Sequence, residues 1–379
     1  MYKKYIWLII LVLFGCKNNK KVAPTILEDS LNSPYKIAYA KGFTVEHFKG
    51  YKLVTIPQAW QGSKEKFTYA LVKKGAKIPV LGDAVQIIRI PIKSIVCTST
   101  SHLPLLEYLG ELDKLVGFPH TKYISSPAVS TRLAKGKIKE LGTESGLNIE
   151  MLMALSPEVV MDFGYGNEYD KYKSIQKVGI PVIMNADYME ETPLGRAEWI
   201  KFAGLFFGKE KEADSIFNMI KNKYNSLKKI AANSDTKPTV YSGTMYGDVW
   251  YMPGGKNSGA IFVNDAGGEY LWKEDSVTGS LQLGFESVYD HARQADFWIG
   301  MGSFNSLEEI ENTDERYTSF DAFKNENVYN YNAVMGKNGG NAFLELGYLR
   351  PDYVLADMIK ILHPALLPAH KLYFYKKLN

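Results

Sequence analysis

Between Gly195 and Ala232 the apolar residues Trp199, Phe202, Phe206, Ala213, Ile216, Phe217, Ile220, Tyr224, Leu227 and Ile230 recur at helical spacing, with Lys, Glu, Asn and Asp between them. The spacing predicts an amphipathic helix, or two in series broken at Gly204 and Gly208. Its uninterrupted part, Lys209 to Ala231, would run roughly 34 Å at about 1.5 Å per residue, enough to span two small lobes. One long surface helix on a single sheet is the other arrangement the same periodicity allows. On either side, short apolar runs alternate with helical patterns, which is how parallel α/β units read.

A chain of 379 residues, 46% of them hydrophobic, can bury a large core arranged as two domains or one big one. The formal charge is only +4 and no long Lys/Arg run occurs, so nucleic acid is not an expected partner. The N-terminus carries Lys3 and Lys4, then a ten-residue apolar run from Tyr5 to Phe14, then Gly15 and Cys16. Ten apolar residues are too few to cross a bilayer as a helix, so the run reads as an export signal. A Cys directly after a small residue at the end of such a run resembles the lipobox of bacterial lipoproteins. The resemblance implies cleavage before Cys16 and lipidation there, with the acyl chains giving a stable anchor in the membrane. Cys97 is then the other cysteine, in an apolar run where burial is the default, and no disulfide is expected.

Residues 1–15 are thus expected to be signal and 16–34 a polar tether. Residues 35–89 alternate apolar and polar between Gly42, Gly50, Gly62 and Gly75, which predicts a few antiparallel strands, an accessory β layer. The first α/β lobe is assigned to 90–191. In it Ile95 to Cys97 and Glu158 to Phe163 read as strands, Lys122 to Lys137 as loop, and Ile149 to Leu155 as a helix capped by Asn148 and ended by Pro157. The linking helix takes 192–236 and a second lobe 237–379, with strands at Thr239 to Tyr241, Val249 to Tyr251 and Asp296 to Gly300. Asn341 onward reads as helical with a stop at Pro351. The fold class is α/β: two α/β lobes joined by a single long helix, with an N-terminal β extension.

In open α/β units ligands sit beyond the carboxyl ends of the strands, and sites form preferentially between domains. That places the loops Thr98 to His102, Phe163 to Asn167, Gly243 to Trp250 and Gly300 to Asn305 around one cleft. Their hydroxyls, amides and aromatics, Ser99, Ser101, Tyr165, Tyr246, Trp250, Phe304 and Asn305, suit a bulky, partly apolar, hydrogen-bonding ligand. For each aromatic, core packing is the competing role. His102 is either a cleft ligand or a polar residue near a helix start. No His–carboxylate pair, nucleophile motif, GxGxxG, phosphate-binding loop or metal-ligand spacing occurs, so neither an enzyme nor a resident metal or cofactor is expected. Glu150 and Glu286 each lie in the first turn of a helix that precedes a lobe's buried strand. They either complement the helix dipole or form a symmetric pair of docking charges.

From about Ile90 to His363 the chain resembles the periplasmic binding proteins of the iron-complex, haem and cobalamin class. The carriers are the stretch from Arg89 to Val96, Asn148-Ile-Glu-Met-Leu-Met-Ala-Leu-Ser-Pro-Glu-Val-Val, the long helix, and Phe285-Glu-Ser-Val-Tyr with Ala295-Asp-Phe-Trp-Ile. The resemblance implies two lobes joined by one helix, an ABC permease with its ATPase as partner, and Glu150 and Glu286 as the permease-docking acids. It also implies that Asn341 and Arg350, in the terminal part, could face the cleft, with a structural ion pair as the other role for Arg350. The function implied is that of a monomeric, lipid-anchored, extracytoplasmic solute-binding protein. It would deliver a small-molecule metal chelate, a ferric siderophore first, with cobalamin or haem as alternatives and a scaffold lipoprotein on this fold as the rival outside transport. Residues 35–89 lie outside the usual family core and take no role from it.

Overall fold

The computed structural model describes residues 35–143, 146–164 and 169–379. Strands β1 (Thr44–Phe48), β2 (Tyr51–Ile56), β3 (Phe67–Lys73) and β4 (Val85–Ile90) form a four-stranded sheet in that order. The first two pairings are antiparallel; β3 and β4 run parallel, which corrects the all-antiparallel expectation. Alternation specifies which side chains face a core but not strand direction. This sheet packs directly on the first lobe. Val54, Ile56, Tyr69, Leu71, Ile88 and Ile90 are buried in one core with the first lobe.

That lobe is built on β5 (Ile95–Cys97), β6 (Leu115–Phe118), β7 (Lys139–Glu140), β10 (Val159–Asp162) and β11 (Val182–Met184), parallel throughout in the order β11-β10-β5-β6-β7. The short β8 (Gly142–Thr143) and β9 (Gly146–Leu147) form a hairpin beside it. Every residue of β5, β10 and β11 is buried, as strands covered on both faces should be. The covering helices are α1 (Leu103–Tyr108), α2 (Pro127–Ala134), α3 (Ile149–Leu155) and α4 (Tyr169–Lys177). Helix α2 occupies the stretch expected as loop. Ser126 caps it by accepting from the Val129 N–H at 3.3 Å, and Pro127 sits at the first helical position, where proline starts a helix rather than breaking one.

The linking region is three helices in series, α5 (Pro193–Ala197), α6 (Trp199–Phe207) and α7 (Glu210–Ala231). All of α6 is buried, apolar on every side except at Lys201, whose ammonium pairs with Glu198 and Asp214. Gly208, at φ 68°, ends it. Helix α7, 22 residues and roughly 33 Å long, buries one stripe that changes partners along its length. Ala213, Phe217 and Ile220 belong to the first lobe's core, whereas Tyr224, Leu227 and Ala231 belong to the second's.

The second lobe carries β12 (Thr239–Tyr241), β15 (Glu269–Tyr270), β17 (Phe297–Ile299), β18 (Val328–Asn330) and β19 (Lys376–Lys377) in the order β15-β12-β17-β18-β19, with only β19 antiparallel to its neighbour. The expected strand at Val249 to Tyr251 belongs instead to a separate antiparallel sheet of β13 (Thr244–Tyr246), β14 (Val249–Pro253) and β16 (Ser280–Leu283). Helices α8 (Ser258–Asp265), α9 (Phe285–Ala292), α10 (Leu307–Thr313), α11 (Asp321–Lys324) and α12 (Pro351–Leu362) complete it, with a π-helical turn at Phe343–Gly347 before α12. Pro351 starts α12 rather than stopping its predecessor, again as an N-terminal proline. Ala342 lies in the second core and Leu349 in the first, so the segment between them is a second connection from lobe to lobe.

Candidate ligand-binding cavity

Beyond the carboxyl ends of β12, β17 and β18 lies a cavity of about 790 Å³. The loop after β12 contributes Ser242, Gly243, Thr244 and Tyr246; β14 and the start of α8 contribute Tyr251, Asn257 and Ser258. Gly300 and Gly302 follow β17, Tyr331 follows β18, and Phe343, Leu344 and Tyr348 form the wall toward the π-helical turn. Arg196 closes it from α5. Gly243 has φ 80°, and a Cβ there would lie 1.9 Å from the Tyr251 carbonyl oxygen, so β13 and β14 can approach only with glycine at this position. Burial raises the phenols of Tyr331 and Tyr270, which line the wall as neutral O–H groups. The wall is predominantly aromatic and aliphatic with a few hydroxyls and amides, the composition that encloses a bulky organic ligand.

Of the residues expected to contact ligand, Tyr246 lines this cavity and is 82% exposed. Trp250 does not. It is fully buried against Trp298, Tyr317 and Phe320, and its indole N–H donates to the Ser242 carbonyl at 3.0 Å. Neighbouring residues on a strand face opposite ways, so burying Trp250 turns Tyr251 toward the cavity. Ser99 and Ser101 hold each other, oxygen to oxygen at 2.9 Å, and Ser99 also accepts from the Ser101 N–H. His102 is fully buried in the first lobe, and neither ring nitrogen has a partner at hydrogen-bonding geometry among the described residues. Burial lowers its imidazole to about 4, partly offset by Asp187, Asp162 and the Met161 carbonyl, so it is a neutral interior residue and not a cleft ligand.

Phe304 is half-buried against Tyr317, and Asn305 is tied to the Ser303 carbonyl, Glu309 and Asn332. Asn341 donates to the Tyr331 carbonyl at 3.1 Å and accepts from the Phe343 N–H at 2.8 Å. Arg350 is buried in a two-pronged pair with Asp352, at 2.7 and 2.8 Å, donates to the Tyr108 hydroxyl and lies 3.5 Å over the Tyr353 ring. The ion-pair role is the one the structure gives it. Tyr165 and Cys16 lie outside the described residues. No first-lobe loop contributes a described residue to the wall of this cavity, and most of the loop from Phe163 to Asn167 lies outside the described residues.

Among the wall residues that sequence reasoning missed are Arg196, Tyr331, Phe343 and Tyr348. Arg196 was hidden inside a helical pattern, and the others follow a strand or lie in or just after the π-helical turn, where no periodicity points. Glu150 and Glu286 are exposed in the first turns of α3 and α9, and Met151 and Met153 beside Glu150 are 40% and 52% exposed. Among the described residues no group of His, Cys and carboxylates could hold a metal ion, and no helix is long and apolar enough to cross a membrane.

A family model described as periplasmic binding protein matches residues 95–334. An uncharacterized lipoprotein of Methanocaldococcus jannaschii is 26% identical, over 98% of this chain and 94% of its own. Among solved structures, an ABC transporter substrate-binding protein from Listeria monocytogenes EGD-e superposes with a TM-score of 0.54 at 22% identity, covering 72% of this chain and 99% of that one. The periplasmic haem-binding protein HutB of Vibrio cholerae gives 0.53 at 16% identity, covering 69% and 99%.

Proposed function

The chain belongs to the periplasmic binding protein family, and from that membership we propose that it captures an iron chelate, a ferric siderophore first, and hands it to an ABC importer. The family is one of substrate-binding proteins and not of enzymes, and it implies a small-molecule ligand and a permease–ATPase partner. The observation that carries the ligand reading is the cavity of about 790 Å³, whose described wall residues include tyrosines, hydroxyls and one arginine but no His, Cys, Asp or Glu. Such a wall cannot strip a metal from its donors, so a metal would enter already wrapped in an organic ligand. Haem is the second reading, favoured by the exposed Tyr246, since a phenol can serve as an axial ligand.

Anchoring through lipid at Cys16 and docking through Glu150 and Glu286 belong to the same proposal. Two exposed carboxylates at matching positions of two lobes set register against a basic partner surface. Titration of the full chain in detergent with a ferric catecholate, a ferric hydroxamate, haem and cyanocobalamin, read by intrinsic fluorescence, tests the ligand. Saturable sub-micromolar quenching by an iron chelate is expected, and silence toward all four from a folded protein would remove the transport reading. Reversing both glutamates should abolish uptake with ligand affinity unchanged; a loss of affinity would overturn their docking role.

A further inference from the structure

We infer that Arg196 is the specificity-determining residue of the cavity and that it selects ligands bearing a carboxylate, catecholate or comparable anionic oxygen; this rests on the binding role proposed above. Arg196 is the one formally charged side chain among the described residues of the wall. Its guanidinium carbon lies 3.2 Å from the centre of the Tyr348 ring, a flat stack that fixes the plane of the fork. Its Nε reaches the Asp187 carboxylate at 3.4 Å. That single contact is longer than the roughly 2.7–2.9 Å of a strong charge-assisted bond, so it orients the group without using it up. The terminal Nη donors have no protein acceptor among the described residues. The side chain is only 16% exposed, so this is a desolvated cation with spare donors at the edge of an aromatic chamber.

Such a group discriminates in both directions. An anionic oxygen in the plane of the fork takes two donors in a medium where the interaction is stronger than in water. An uncharged ligand of the same size would cover the guanidinium and leave those donors without water or partner, a penalty for the wrong ligand and not merely a missing gain. The position of the residue adds to this. Helix α5 places Leu194 in the second lobe's core and Ala197 in the first's, so the anchor sits where the two lobes meet.

The full chain in detergent, wild type, Arg196→Gln and Arg196→Lys, is titrated with ferric citrate, an anionic ferric catecholate and an uncharged ferric trihydroxamate, at low and high salt. The wild type should prefer the anionic probes. Arg196→Gln should lose about tenfold to a hundredfold in affinity for them and bind the trihydroxamate as tightly as the wild type does or more tightly. Arg196→Lys, which keeps the charge but loses the fork, should fall between, and a melting transition within a few degrees of wild type for the Lys variant shows that the fold is kept. Wild-type preference for the uncharged chelate, or an Arg196→Gln variant with unchanged affinity for the anions, overturns the inference while leaving the binding role standing. Failure of the wild type to bind any of the three overturns the iron-chelate reading and this inference with it.

Discussion

Residues 38–42, ahead of β1, form a strap held on the linking helices by Glu198 and Glu190, and replacing Glu198 by Gln should release it. Glu198 is fully buried, and its carboxylate accepts from three consecutive backbone N–H groups, Ala38 at 3.0 Å, Tyr39 at 2.6 Å and Ala40 at 2.9 Å, with the Lys201 ammonium 3.2 Å away. Glu190 continues the row, accepting from the N–H groups of Lys41 and Gly42 and from the Trp199 indole. An amide has the shape of the carboxylate but turns an NH₂ donor toward N–H donors and removes the charge. Breaking a buried, hydrogen-bonded charge site of this kind costs about 3–5 kcal/mol. Lys201 keeps Asp214 at 2.8 Å, so no cation is stranded and the loss should fall at the lower end, about 3 kcal/mol. Urea unfolding should show the midpoint falling at constant slope. Hydrogen exchange at amides 38–40 and tryptic cleavage after Lys36 and Lys41 should accelerate well before global unfolding. An unchanged midpoint together with unchanged exchange would refute the strap.

His102→Phe should remove a pH dependence. Lowering from an ordinary 6.5 to about 4 means that between those values the unfolded chain binds a proton the folded chain refuses. Wild-type stability should therefore fall by about 3 kcal/mol more than the variant's between pH 7 and pH 4, measured by urea unfolding across pH. Glu345 has the opposite sign. Burial raises its carboxyl, against the N–H groups of Ser125 and Ser126 that it accepts from at 2.6 and 3.0 Å. The folded chain then holds the extra proton, so this contribution to stability should decline as pH rises above the ordinary 4.5, and Glu345→Gln should flatten that slope. Tyr251→Ala should weaken ligand binding with little change in melting temperature, whereas Trp250→Ala should lower stability by about 3–5 kcal/mol; the same titration and melting measurements on both variants separate wall from core.

What could be read from the sequence was set by local periodicity. The stripe of α7 and the Asn148 cap, which accepts from the Met151 N–H at 2.9 Å, are properties of a few neighbouring residues and read correctly. The repeated unit of a helix with an early Glu, a buried strand and a glycine also holds, through Gly164 after β10 and Gly300 after β17. Pro127 and Pro351 misled because proline terminates a helix from inside but starts one from its first position, and only the cap distinguishes the two. The cavity was harder to read because its membership is decided across the chain. Choosing Tyr251 over Trp250 required the register of β14 against β16, and finding Arg196 required knowing that Tyr348 lies beneath it.

The same long-range contacts limit how the lobes can move. A single helix between two bodies would already resist wide bending, and here further contacts cross the junction. Tyr39 of the strap packs against both cores. The segment from Ala342 to Leu349 runs from one core to the other, and Glu345 within it holds the backbone at the start of α2. Gly336 and Gly340 lie so close to the backbone of residues 123–125 that a Cβ on either would fall 2.5 Å or less from a carbonyl oxygen. Arg350 adds its bond to Tyr108. Packed contacts of this kind switch between discrete arrangements and do not stretch, so wide opening would have to break the Glu345 contacts and separate the glycines from the first lobe together. Ligand exchange is then expected to need only small motions near α5, the helix that carries Arg196.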